Sequence, residues 1–257
     1  MIETQWDMEV MAATACNFRC VSCTHGSPFM DNHMLTPDEL ERDLDCIKDM
    51  LRVKLFAVQG GEPLLSPHVE ALLRLIAGSG MGRQCFLLTN GKLLPRQPES
   101  FWETMASCGM QLRISVYGDL PQETVDMAAE KCGEYGIEFI PRVVTKFFAG
   151  FQQNDGSNYH GCIWNRCLTV HRGHFYLCPQ SALFPKQYMG LPATIDGLPL
   201  RGLTEDRLRE FLAQDKPLNA CRVCSGAKGE EHEWRQVKNE KDWNIASGLT
   251  FDPKISS

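Results

Sequence analysis

No stretch of this chain approaches 18 uninterrupted apolar residues, so no transmembrane helix is expected. Residues Met1 to Asp7 hold neither a basic segment nor a long apolar run, so no signal peptide is expected and the cytoplasm is the expected location. Positive charge is in short supply: 26 Lys and Arg face 32 Asp and Glu, a formal net charge of −6. That balance argues against a general binder of nucleic acid or of anionic membranes, and leaves room for a local basic pocket. No internal repeat or low-complexity tract stands out.

What is abundant is cysteine. Twelve thiols in 257 residues are many for a chain with no signal toward an oxidising compartment. Metal or redox chemistry accounts for them better than a disulfide framework. Eight fall into two groups, at 16–23 and 162–224. The other four, Cys46, Cys85, Cys108 and Cys132, lie in periodic segments and read as small buried hydrophobes. Hydrophobic content of 43 % and charged content of 23 % suit a soluble globular protein. The length suits one large α/β domain, or a domain with a small appendage.

Periodicity gives the order of elements. An apolar run, Met8 to Ala13, predicts a buried strand that feeds the first cysteine loop. Thr36-Pro37-Asp38-Glu39 predicts a capped helix start, and the apolar face Leu40, Leu44, Ile47, Leu51 carries that helix to about Leu51. Strands are expected at Lys54–Val58, Cys85–Leu88, Leu112–Val116 and Ile137–Val144, with helices at Val69–Ile76, Phe101–Ser107 and Thr124–Cys132. Such alternation implies a parallel sheet with right-handed crossovers, and the polar insertions follow the strands, where these sheets place their sites. The pattern stops near Gly150. Gln152 to Tyr159 reads as a linker, Thr169–Arg172 and His174–Leu177 as a hairpin around Gly173, and Glu205–Gln214 as a helix. The tail after Ser225 is charged, with Trp234 and Trp243 as candidate anchors. The division expected is 1–150, 151–225 and 226–257.

Cys16, Cys20 and Cys23 form a C-x3-C-x2-C run. Three thiolates hold three irons of a cubane and leave the fourth iron for something other than protein, whereas an electron-transfer cluster takes four cysteines. Zinc is the competing account, but zinc sites usually close with four ligands in paired C-x2-C form. Gly60-Gly61-Glu62-Pro63 follows the second strand and Thr89-Asn90-Gly91 the third. This ordered set resembles the radical S-adenosylmethionine (SAM) enzymes over roughly residues 8–145. The resemblance implies a partial (β/α)6 barrel and a 4Fe–4S cluster on the three cysteines. Its open iron is chelated by SAM, which is cleaved reductively to a 5′-deoxyadenosyl radical that takes a substrate hydrogen. By position, it also implies cofactor contacts from Gly60, Gly61 and Glu62 to the SAM ammonium, from Asn90 and Ser115 to its ribose or carboxylate, and from Arg142 to its carboxylate. One departure concerns adenine: the residue before the third cysteine is Ser22, where the family often has an aromatic, and Phe18 does not obviously replace it. His25 is a loop histidine with a candidate contact role.

Cys162, Cys167, Cys178, Cys221 and Cys224 resemble the family's C-terminal twitch extension. That resemblance implies an auxiliary 4Fe–4S cluster on Cys162, Cys178, Cys221 and Cys224, with Cys167 the alternative to Cys162 and zinc the alternative metal. The layout is similar to that of the 2-deoxy-scyllo-inosamine dehydrogenases of aminoglycoside biosynthesis. It implies oxidation of a secondary alcohol on a sugar or aminocyclitol, with an external donor such as flavodoxin or ferredoxin. A peptide- or protein-modifying enzyme is the alternative, and a non-enzymatic metal scaffold is the remote one. No catalytic acid or base is assigned; Asp119, Glu62 and His174 are candidates that geometry must decide.

Overall fold

Alternating apolar strands and amphipathic helices build this chain in chain order, as the periodicity predicts. The computed structural model describes residues 1–27, 30–151, 154–162, 165–239 and 242. A short β1 (Ile2–Glu3) precedes β2 (Asp7–Ala13), α1 (Pro37–Asp45), β3 (Leu51–Gly60), α2 (Val69–Gly78), β4 (Gly82–Thr89), α3 (Glu99–Ser107), β5 (Gln111–Val116), α4 (Gln122–Tyr135) and β6 (Phe139–Val143). Then come β7 (Lys146–Phe148), β8 (Cys167–His171), β9 (His174–Tyr176), α5 (Pro179–Met189), β10 (Leu198–Pro199), α6 (Glu205–Ala213) and β11 (Glu231–Glu233).

Strands β2, β3, β4, β5 and β6 pair in parallel in that order. A sixth parallel strand comes from the later part of the chain: β8 lies against the other edge of β2, with Asp7 opposite Cys167 and Val10 opposite Val170. The partial barrel is therefore completed from the cysteine-rich segment, and α1 to α4 cross between the first five strands. The expected hairpin follows as β8 and β9, turning at Arg172 and Gly173 with φ of +49° and +76°. Glycine takes the second of these left-handed positions at no steric cost.

Alternation divides the sheet into two faces. Leu112 and Ile114 of β5, with Cys85 and Leu87 of β4, join Phe101, Trp102, Met105, Leu72 and Ile76 in a core between sheet and helices. Each such side chain stabilises by about 1.5–3 kcal/mol when fully buried. The other face carries Phe86, Leu88, Arg113 and Ser115, which line cavities instead. Of the four isolated cysteines, Cys85 and Cys132 are buried and Cys46 and Cys108 half-buried.

Two expectations are corrected. The first helix begins as predicted, with Thr36 and Glu39 closing a reciprocal capping box, but it ends at Asp45. Turns at Ile47 to Met50 follow, and Leu51 opens β3, its side chain buried by the strand instead of the helix. The apolar spacing that suggested a longer helix served two elements packed on one core. Helix α5 was not foreseen, because Pro179 and Pro185 lie within it. Pro179 sits in the first turn, where a missing N–H costs little. Trp243 lies outside the described residues.

Candidate active site

The loop that follows β2 carries Cys16, Cys20 and Cys23, and they line one cavity of about 180 Å³ with Gly60, Gly61, Thr89, Asn90, Ser115, Phe18, His25 and Tyr117. The site thus gathers the carboxyl ends of β2, β3, β4 and β5, where the topology places loops side by side.

Two glycines let the second loop approach the first. A Cβ on Gly60 would stand 2.3 Å from the Ala13 carbonyl oxygen, and one on Gly61 would stand 2.1 Å from that of Ala15. Close approach permits the Gly61 N–H to donate to Ala13 and the Glu62 N–H to donate to Ala15. Glu62 itself turns away from the cavity. Its carboxylate is fully buried and accepts from the Leu64 N–H at 3.0 Å, the Thr89 hydroxyl at 2.6 Å and the Asn90 N–H at 2.9 Å. Burial pushes its pKa up to about 7, against these three donors. Glu62 therefore ties the second loop to the third, and the main chain of Gly60 and Gly61 is what reaches the cavity wall.

Asn90 holds the first loop in turn. Its amide donates to Asn17 at 2.6 Å and reaches the Cys16 sulfur at 3.8 Å. The Phe18 N–H donates to the same sulfur at 3.4 Å. These donors suit a thiolate that carries negative charge. Burial raises the Cys16 pKa and pushes Cys20 up to about 12, and the neighbouring thiols add to both. Bound metal is the ordinary means of deprotonating thiols in such surroundings.

The C-terminal segment, whose packing the sequence did not reveal beyond its tryptophans, lies along this loop. Val21 donates to Arg235, Val237 donates to Arg19, and the Arg19 guanidinium reaches the Lys238 carbonyl at 2.7 Å. Trp234 stacks on Tyr117 at 5.0 Å and packs near Phe18. Aromatic rings therefore do border the cavity, from Phe18, Tyr117 and Phe147. Ser22, with φ of +58°, lines the neighbouring cavity instead.

A buried carboxylate that the sequence reading passed over sits beneath His25. Glu9 of β2 accepts from or pairs with the His25 Nε2 at 3.0 Å, accepts from the Gln59 amide, and receives the Cys167 thiol at 3.6 Å. The available signal was a lone acid within the apolar run Met8–Ala13. Of the candidate acids and bases, Glu62 is held by two backbone N–H groups and the Thr89 hydroxyl, Asp119 accepts from the Gln236 amide on the surface at 2.6 Å, and His174 bonds the Arg172 carbonyl at 3.1 Å.

The second cysteine group forms its own enclosure. Cys162, Cys178, Cys221 and Cys224 line one cavity with Tyr159, Gln180, Leu218 and Gly226. A Cβ on Gly226 would stand 3.1 Å from the Cys162 sulfur, and the Gly226 N–H donates to Cys224 at 3.4 Å. Burial is the main cause of the raised pKa of Cys178, Cys221 (about 11) and Cys224 (about 12), and other thiols of the same ring raise each further. Cys167 is not among the lining residues; it points to Glu9 on the sheet's inner face. Among the described residues no three His, Cys, Asp or Glu side chains converge on a single-ion site. The cavity that the four thiols line has a volume of about 30 Å³. Gln180 links the two sites: the Cys178 thiol donates to its carbonyl oxygen at 2.6 Å, and its amide reaches the Thr24 carbonyl at 3.4 Å, one residue past Cys23.

Arg142 stands apart from its expected companions. It lies opposite Ser115 in the β5–β6 pair but lines the adjoining cavity, not the one with the triplet.

A family model described as the radical SAM superfamily matches residues 11–146. The chain is 35 % identical over 116 residues to the GTP 3′,8-cyclase of Rippkaea orientalis, covering 43 % of this chain and 34 % of that protein. It is 33 % identical over 129 residues to the GTP 3′,8-cyclase of Staphylococcus epidermidis, covering 46 % and 35 %. The chain thus spans about a third of the length of the curated relatives it matches. Its fold is similar to that of BtrN in complex with AdoMet and 2-DOIA, at 14 % identity and a TM-score of 0.55, covering 84 % of this chain and 85 % of that one.

Proposed function

Because the chain belongs to the radical SAM superfamily, we propose that it is an oxidoreductase that converts a secondary alcohol of a sugar or aminocyclitol to a carbonyl. Cys16, Cys20 and Cys23 would hold the cluster that binds SAM, and Gly60, Gly61, Asn90 and Ser115 would border the cofactor. Cys162, Cys178, Cys221 and Cys224 would hold an auxiliary cluster. When bound, these groups supply hydrogen-atom abstraction at the substrate carbon and an acceptor for the electron that remains.

The observation that carries this reading is the second thiol ring. Four cysteines line it, so each iron of a cubane bound there would have a protein ligand, which suits electron transfer. Oxidation of an alcohol to a carbonyl removes a hydrogen atom, an electron and a proton. A chain with one open cluster site and one closed one would have a place for the first two. The fold shared with BtrN, whose described complex holds AdoMet and 2-DOIA, supports the same layout. The chain's own residues shape the cavity: His25 and Gln59 give it polar lining held by Glu9, and Phe18, Tyr117 and Phe147 add aromatic rings to its walls.

Anaerobic reconstitution tests this directly. About eight irons per chain are expected, with release of 5′-deoxyadenosine from SAM after reduction. Incubation with sugars and aminocyclitols should give a product about 2 Da lighter, the loss of two hydrogens. About four irons would remove the auxiliary cluster. A modified peptide beside an unchanged small-molecule set would replace the reading with peptide modification.

A further inference from the structure

The triplet's cavity opens beside a larger one of about 420 Å³, and the two share Thr24, Leu88, Ser115, Tyr117 and Phe147 in their walls. The larger cavity has an uneven charge. Arg113, Arg142 and Lys146 line it, and no Asp or Glu does so among the described residues. This occurs in a chain whose net charge is −6, so the cluster of cations is local and not a reflection of composition.

The three cations differ in what already satisfies them. Lys146 pairs with Glu231 at 2.9 Å. The Arg113 guanidinium lies 3.8 Å over the Phe86 ring and donates to the Gln111 side-chain amide oxygen (Oε1) at 2.7 and 3.1 Å. Asp7 and Glu138 also act on Arg113, but neither lines the cavity. The Arg142 guanidinium has no hydrogen bond or ion pair among the described residues, and its register partner is Ser115, at the junction of the two cavities. A guanidinium with its donors unspent, a second one fixed flat on a ring and apolar walls from Leu88, Ile140 and Val144 make a site for an oxyanion on an otherwise compact ligand.

From this arrangement we infer that the substrate is an acidic sugar, one bearing a phosphate or carboxylate, whose anion is held by Arg142 while its reacting carbon extends past Ser115 toward the triplet's cavity. The inference rests on the sugar-oxidation reading for the identity of the reacting carbon, and it disfavours a cationic aminocyclitol. A like-charged amine in this cavity meets the unpaired Arg142 guanidinium and finds no Asp or Glu among the lining residues.

Binding, rather than turnover, separates this inference from the reading beneath it. Dissociation constants are measured calorimetrically on the reconstituted protein with SAM for glucose 6-phosphate, glucuronate, glucose and glucosamine. At least one acidic sugar should bind tenfold or more tightly than glucose, with glucosamine weakest, and the preference should shrink as salt rises. The better of the two acids identifies the oxyanion. Arg142→Gln should bring the acidic sugar to the affinity of glucose, and Arg142→Lys should keep part of the difference. Arg142 is exposed, so neither variant threatens the fold. Equal binding of all four sugars, or a preference for glucosamine, would overturn the inference. Absence of 5′-deoxyadenosine or of a 2 Da loss would instead count against the oxidation reading and leave the anion preference standing.

Discussion

The Trp234 indole N–H donates to the Cys20 sulfur at 3.1 Å, across 214 positions of sequence. The C-terminal segment is therefore part of the first cysteine site, and Trp234 would donate to the Cys20 thiolate of a bound cluster. A donor to a cluster thiolate favours the reduced, more negative state. Trp234→Phe keeps a ring against Tyr117 and removes the donor. It should lower the reduction potential of that cluster, by about 40 mV if the bond is worth roughly 1 kcal/mol more in the reduced state. Redox titration followed by electron paramagnetic resonance measures the shift. An unchanged potential with intact iron content would make Trp234 a packing residue only.

Gly61→Ala should be severely destabilising. The new Cβ would fall 2.1 Å from the Ala15 carbonyl oxygen, a backbone atom with no rotamer to yield. A loss of roughly 2 kcal/mol or more is expected in urea unfolding of the metal-free protein. Gly133→Ala is the matched control. It lies near the end of α4 with nothing within 4 Å of the added atom, and should stabilise by up to about 1 kcal/mol. Equal effects at the two sites would mean that Gly61 is a turn residue without a close contact.

Legibility followed range. The strand–helix order was readable because each element's periodicity is local, and β2, β3 and β5 lie within a few residues of their expected limits. The triplet, Gly60–Gly61 and Asn90 come together because consecutive parallel strands deliver their loops to one edge. Long-range pairings were not readable. Nothing in the local pattern says that β8 adds to the edge of β2, and only that pairing brings Cys167 to Glu9 and away from the other thiols. The motif at Glu62 was readable, but not that its carboxylate satisfies three buried donors, two of them from Thr89 and Asn90 at the carboxyl end of β4. Arg142 shares a face with Ile140 and Val144 as strand alternation predicts, yet which cavity that face borders depends on the long-range pairing of β6 with β5.

His171 gives the metal-free protein an acid-sensitive step. It is 6 % exposed on β8, and burial, then Arg172, then His33 lower its pKa from 6.5 to about 4. The unfolded chain therefore binds a proton that the fold does not, between pH 6.5 and 4. Stability from this group is complete above pH 6.5 and is lost as pH falls through about 4, in total about 3 kcal/mol. His171→Leu should flatten the slope of unfolding free energy against pH in that window by close to one proton. A slope that His171→Leu leaves untouched would show that other groups carry the acid transition.

Cys162 and Cys167 make opposite predictions for the second site. Both are five residues apart on one segment, and spacing alone leaves either as the fourth member. In the fold Cys162 joins Cys178, Cys221 and Cys224 around a common cavity, while Cys167 reaches inward to Glu9 at 3.6 Å. Burial raises the Cys167 pKa well above its ordinary value, and the adjacent Glu9 charge raises it further. Cys162→Ala should reduce reconstituted iron from about eight to about four per chain, with the SAM-binding cluster retained. Cys167→Ala should keep about eight, because its position supplies a hydrogen bond and not a ligand. Mössbauer spectra of the two variants would distinguish a lost cubane from a damaged one. Loss of four irons from Cys167→Ala alone would assign the ligand to Cys167 and require β8 to shift from its pairing with β2.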